Sequence, residues 1–171
     1  MHIKQRARSK IAKLEREDAI LAAAETLLRQ SGYNVMTMQA VAMTACIAKG
    51  TLYLYFPSRE SLVLSVYGRL FDQWIDRFAS SEPDVSGADE FCRDFYRCYI
   101  DDPLFVQLTG FVITSMEPQL DRETYIKGKR AMEGRVKKLA GIVHRRLGVT
   151  PILAQKFVWG MLTIAFGATH V

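Results

Sequence analysis

The stretch Thr37–Leu62, TMQAVAMTACIAKGTLYLYFPSRESL, decides how this chain is read. Thr37 has the hydroxyl of an N-cap, able to accept from an unpaired backbone N–H of the first helical turn. Ala40, Val41 and Ala45 then give a short helix a small apolar face. A turn near Cys46 and Ile47 leads to a second short helix, Ala48 to about Tyr55, on which Leu52 faces the core. Pro57 has no N–H and disfavours helical geometry at Phe56, so that helix must stop there. Ser58 can cap the next one, whose first turn is polar. Two short helices, a tight turn and an aromatic–proline stop form a helix–turn–helix pattern.

Working backward, Ile20, Ala23, Ala24, Leu27 and Leu28 recur with helical spacing, which predicts a first helix over about Glu17–Gln30. Gly32 is placed to end it with a positive φ, and Tyr33 to fold back onto it. Before Glu15 stand Lys4, Arg6, Arg8, Lys10 and Lys13 with no acid, so this arm carries the whole net charge of +5. A basic arm ahead of such a motif points to a polyanionic partner.

Working forward, Leu62, Val66, Leu70, Trp74 and Phe78 form a stripe at four-residue spacing, predicting a long helix from about Arg59 to Ala79. Ser80–Gly87 reads as a loop. Further helices are expected over Ala88–Ile100, Pro103–Met116, Asp121–Leu147 and from Pro151 onward. Asp102 and Thr150 cap ahead of prolines, which sit in first turns without loss of a hydrogen bond. No alternating strand pattern of useful length occurs, so the fold class is all-α. At 171 residues and 49% hydrophobic the chain can bury a substantial core.

The longest uncharged apolar run, Phe157–Thr169, falls short of the roughly 20 residues a bilayer span needs. The arm and the segment after it lack the apolar core and cleavage site of an export signal. Cys46, Cys92 and Cys98 make neither a metal-ligand pattern nor a complete disulfide framework. These features predict a cytoplasmic protein with reduced thiols, no membrane partner, no metal and no cofactor.

The recognition chemistry sits on the second short helix. Gly50 lets backbone approach a phosphate closely. Lys49 can neutralise a phosphate or donate to guanine. Thr51 and Tyr53 offer hydroxyls, and Tyr55 either packs beneath the helix or donates to a phosphate. Thr37 and Arg59 begin the flanking helices, where the helix dipole favours an anion, and Gln39 lies on a surface face.

The block Lys49-Gly50-Thr51-Leu52-Tyr53-x-Tyr55-Phe56-Pro57-Ser58-Arg59-Glu60, following a small-residue-rich helix, a Gly-Tyr and a Thr, resembles the DNA-binding domain of the TetR/AcrR family of bacterial transcription regulators. The resemblance covers Ala19–Leu62, about a quarter of the chain. Two positions depart from it: Cys46 stands where the family usually has a turn glycine, and Ala48 where it usually has a Ser or Thr cap.

The resemblance implies an N-terminal three-helix DNA-binding domain over residues 1–60 and a helical ligand-binding and dimerisation domain over 61–171. It implies a homodimeric repressor, released from a palindromic double-stranded operator by a small-molecule effector. Trp74, Phe78 and Tyr125 are the pocket candidates. Related proteins pair two final helices per subunit into a four-helix bundle. This sequence reaches only the first of them, so either a last helix is missing or the dimer closes differently. The alternative is a helical sensor or interaction module that does not contact DNA, for which Cys46 and Ala48 speak. An enzyme is disfavoured: His2, His144 and His170 are scattered, and Asp101-Asp102 reads as a helix cap. The basic residues of the long seventh helix, from Lys127 to Arg146, are expected to be solvated.

Overall fold

A computed structural model describes residues 2–81 and 87–168, with side chains described from Lys10 onward except at 113, 114, 166 and 168. Eight α-helices and no strand occur among the described residues: α1 (His2–Val35), α2 (Met38–Thr44), α3 (Lys49–Tyr55), α4 (Arg59–Ser80), α5 (Ala88–Ile100), α6 (Pro103–Phe111), α7 (Arg122–Leu147) and α8 (Pro151–Ala168). The chain divides into two compact units, residues 1–66 and 67–171, the division falling inside α4.

In the first unit α1 is far longer than its apolar face predicts. No glycine or proline precedes Gly32, and the arm is rich in Lys, Arg, Ala and Gln, all good helix formers. Nothing therefore stops the helix short of His2. The arm's Lys4, Arg6 and Arg8 side chains fall outside the described ones. Gly32 does break the helix, at φ 72 and ψ 174, a conformation that side chains disfavour. Tyr33 reaches the start of α4. Its hydroxyl donates to Glu60 Oε1 at 3.2 Å and accepts from Arg59 Nη2 at 2.9 Å, with the Arg59 guanidinium 4.1 Å over its ring. The unit's core gathers Ile20, Ala24, Leu28, Met36, Val41, Leu52, Phe56, Leu62 and Val66.

The predicted α4 stripe is buried throughout. Burying each such side chain contributes roughly 1.5–3 kcal/mol. In the second unit its bulky residues enter an aromatic cluster. Phe105 is ringed by Tyr67, Phe71, Trp74 and Tyr99 at centroid distances of 5.6, 5.4, 5.7 and 5.4 Å. Phe95 links Trp74, at 5.0 Å, to Phe78, at 5.4 Å. The caps form as read: Asp102 accepts from Leu104 and Phe105, and Thr150 from Leu153. The helix expected to run to Met116 instead leaves α geometry after Phe111. A π turn (Val112–Met116) and a 3-10 turn (Glu117–Gln119) follow. Pro118 accounts for this, because its ring would clash with the carbonyl four residues earlier in a continued α-helix. Ser80 belongs to α4, and residues 82–86 of the expected loop lie outside the described residues.

The cations of α7 are not uniformly solvated. Arg135 grips Asp72 through Nε and Nη2 at 3.0 and 2.8 Å, and Lys138 reaches Asp76 at 2.7 Å. The Arg146 side chain is only 7% exposed: it donates to the carbonyls of Phe78 (2.6 Å) and Ser81 (2.5 Å), faces Asp94 at 3.4 Å and lies over the Phe78 ring. It ties the end of α4 to α5 and α7. Gly148, in left-handed conformation, ends α7, and α8 leaves at 114°. No single helix among those described is long and apolar enough to cross a membrane.

Candidate nucleic-acid interface

The helix–turn–helix is set by local hydrogen bonds. Thr37 Oγ1 accepts from the Ala40 N–H at 3.1 Å and caps α2. At the far end the Ile47 N–H donates to Ala42 O at 2.9 Å and the Cys46 N–H to Met43 O at 3.1 Å. That nested pair is a Schellman motif, whose residue just past the helix adopts left-handed geometry. Cys46 takes that place with φ 53. An L-residue there is strained by about 1–2 kcal/mol, which is why a glycine is common at such positions. Ala48 then starts α3 without any side-chain cap. Ser58 and Ser61 close the next N-terminus reciprocally: the Ser61 N–H donates to Ser58 Oγ at 3.0 Å, and the Ser58 N–H to Ser61 Oγ at 3.1 Å.

At about 100° per residue, Leu52 is the anchor of α3 and is wholly buried. Gly50 and Leu54 lie opposite it, a turn apart. Lys49 and Tyr53 share one flank, Thr51 and Tyr55 the other. Lys49, Gly50 and Tyr53 are exposed, Tyr53 at 43%, while Thr51 and Tyr55 are half-buried. Thr37 and Gln39 are exposed on α2. A Cβ added at Gly50 would meet open space within 4 Å, so the backbone is uncovered there. The arrangement is a narrow ridge with a cation and a phenol on one shoulder and bare backbone on its crest, the width of element that B-DNA's major groove admits.

Arg59 is placed differently from that ridge, engaged with Tyr33 and 3.6 Å from Glu60. Burial tends to raise the Glu60 carboxyl, but hydrogen bonds from its own backbone N–H, Tyr33 and Ser58, with Arg59 nearby, outweigh this and hold it below the usual range. Burial also raises the Tyr33 phenol. Leu54 is not among the residues that the sequence assigns to recognition, because its apolar side chain suggests core. The helical wheel centred on Leu52 is the signal that finds it. It is 85% exposed.

Of the pocket candidates, Trp74 and Phe78 meet in the aromatic cluster. Tyr125 is not brought there: it is 40% exposed on α7, with Lys129 Nζ 5.2 Å from its ring centroid. Among the described residues, Trp74 Nε1 is buried without an acceptor, and no three His, Cys, Asp or Glu side chains gather as metal ligands.

The fold and its helix–turn–helix have counterparts among known proteins. Residues 20–66 match the N-terminal domain of the bacterial regulatory proteins of the tetR family. Residues 65–171 match a tetracyclin repressor-like C-terminal domain. The chain belongs to the TetR family, a family of transcriptional regulators and not of enzymes. It is 42% identical over 85 residues to the HTH-type transcriptional repressor KstR of Mycobacterium tuberculosis, covering 48% of this chain and 36% of KstR. It is 40% identical over 63 residues to the HTH-type regulator YuxN of Bacillus subtilis, covering 37% of this chain and 22% of YuxN. The matched stretches thus span about a fifth to a third of these relatives' lengths. The fold is similar to a crystal structure of the regulator FadR from Bacillus subtilis in complex with stearoyl-CoA. That match has a TM-score of 0.54 and 20% identity, over 87% of this chain and 84% of that one.

Proposed function

We propose that this chain is a cytoplasmic, ligand-responsive transcriptional repressor. It acts as a homodimer whose α3 helices enter successive major-groove faces of a palindromic operator. Residues 1–60 form the DNA-binding domain, and residues 61–171 bind the effector and carry the dimer contacts. The observation that carries this reading is the α3 ridge: Leu52 is buried while Lys49, Gly50 and Tyr53 face solvent.

On this reading Lys49 and Tyr53 contact phosphate and base edge, and Gly50 admits the sugar–phosphate backbone. Thr37, Gln39, Thr51 and Tyr55 line the margins. Arg59 reaches phosphate from the Tyr33–Glu60 cluster. Trp74 and Phe78 supply the effector site. An indole N–H buried without an acceptor costs about 1–3 kcal/mol, and a largely apolar effector bearing one acceptor recovers it. That FadR was crystallised with stearoyl-CoA makes a ligand with a long apolar body a reasonable class. The effector releases DNA only to the extent that it binds the non-DNA-binding conformation more tightly. The dimer reading is supported by α8, which buries Ala154, Val158, Leu162 and Ala165 yet exposes Ile152, Trp159 and Ile164. A second copy suits such a face.

Capture of genomic fragments by the purified protein tests the reading. Wild type is expected to retain a small set of palindromic fragments. The Lys49→Ala/Tyr53→Ala variant, with unchanged helicity, is expected to retain none. Equal retention of all fragments by both would overturn the reading.

A further inference from the structure

We infer that Leu54 is a specificity-determining residue that reads the C5-methyl group of thymine, an inference that rests on the DNA-binding role proposed above. Leu54 is the most exposed large apolar side chain among the described residues, at 85%. It occupies the crest of α3, directly away from Leu52 and one turn beyond Gly50. Nothing within the first unit covers it, so it adds little to the core.

The chemistry of its surroundings narrows what it meets. Lys49 and Tyr53, on the adjacent flank, supply a cation and a hydroxyl suited to phosphates and base acceptors. Gly50 removes a side chain from the same crest, so the turn bearing Leu54 can sit deeper than its neighbours. Leucine has no donor or acceptor, so it cannot distinguish bases by hydrogen bonding. The major-groove edge offers an apolar group only at thymine, the C5-methyl. A leucine on the crest of a helix in that groove therefore favours thymine and disfavours bases that present an unsatisfied donor or acceptor to it.

The test begins with selection of duplexes from a random-sequence pool by wild-type protein. Each thymine of the enriched duplex is then replaced in turn by deoxyuridine, which removes only the methyl. At one thymine of the recognition sequence, wild type should lose about fourfold in affinity, the worth of one buried methyl group. Leu54→Ala, whose helicity and melting temperature should match wild type because the site is exposed, should lose less than twofold at the same position. The inference is overturned if wild type is indifferent to every substitution, or if Leu54→Ala discriminates as well as wild type. It is likewise overturned if Leu54→Ala alters only self-association, which would make Leu54 a protein contact. Failure of wild type to enrich any duplex or to bind in a salt-dependent way overturns the DNA-binding reading itself.

Discussion

Replacing Cys46 by glycine should stabilise this protein, although it deletes a side chain. Cys46 occupies the left-handed position of the α2 Schellman motif at φ 53. The strain relieved is about 1–2 kcal/mol, and the greater freedom of glycine in the unfolded chain takes back roughly 0.4–1 kcal/mol. The net gain is therefore about 0.8 kcal/mol, within a span of roughly 0–1.6 kcal/mol. The exposed thiol leaves no cavity to offset it. Urea unfolding followed by far-ultraviolet circular dichroism reads this as a higher midpoint at unchanged slope, the sign that stability and not compactness has changed. Cys46→Ala is the control: it removes the sulfur but keeps the strained φ, and should shift the midpoint by less than about 0.5 kcal/mol equivalent. Ala48→Ser, which restores a cap to α3, should add about 1 kcal/mol by its own route. A lower midpoint for Cys46→Gly, or a rise for Cys46→Ala as large as that for glycine, would refute backbone strain at this position.

Arg146→Met should destabilise by about 1–3 kcal/mol in denaturant titration, since it leaves the carbonyls of Phe78 and Ser81 without this donor, whereas Asp94 keeps Arg97 at 2.7 Å and the Ser81 hydroxyl. Gly68→Ala should be nearly neutral in wild type but stabilising by up to about 1 kcal/mol in an Arg135→Ala background. The added Cβ would lie 2.7 Å from Arg135 Nη2, and without that guanidinium the helix propensity of alanine is uncovered; equal effects in both backgrounds would contradict the contact. Glu60 has its folded pKa lowered, so its contribution is full above the ordinary glutamate value near 4.3 and is lost as pH falls through the folded value. Glu60→Gln should therefore narrow its stability deficit below about pH 4, as read from urea midpoints across an acid series.

Local signals carried most of the fold. Pro57 with Ser58, Asp102 with Pro103, and Thr150 with Pro151 each fix a helix boundary through one missing donor and one accepting side chain, and such pairs are readable within a few residues. The α4 stripe from Leu62 to Phe78 is equally local, and it is buried throughout. What escaped the sequence reading depends on distant partners. Tyr33 meets Arg59 and Glu60, and Arg146 meets carbonyls and a carboxylate 52–68 residues earlier, so neither local reading could anticipate burial or engagement. The extension of α1 to His2 was missed for another reason: a solvated helix needs no apolar stripe, and absence of breakers is a weak signal. The π turn before Pro118 reflects a backbone conflict whose remedy sequence does not specify. On α3, the Lys49–Glu60 block is legible as a unit, whereas the exposure of Leu54 follows only from asking which face of the helix lies opposite its anchor.

On the proposed function, the exposed shoulder of α3 meets the phosphates of duplex DNA. Fluorescence anisotropy of a labelled enriched duplex, measured across a salt series with wild type and Lys49→Ala, addresses it directly. Log affinity should fall linearly with log salt for wild type. Lys49→Ala should bind more weakly, with a slope reduced by about 1 for each phosphate that the lysine no longer neutralises. An affinity indifferent to salt, or a Lys49→Ala slope identical to that of wild type, would contradict it.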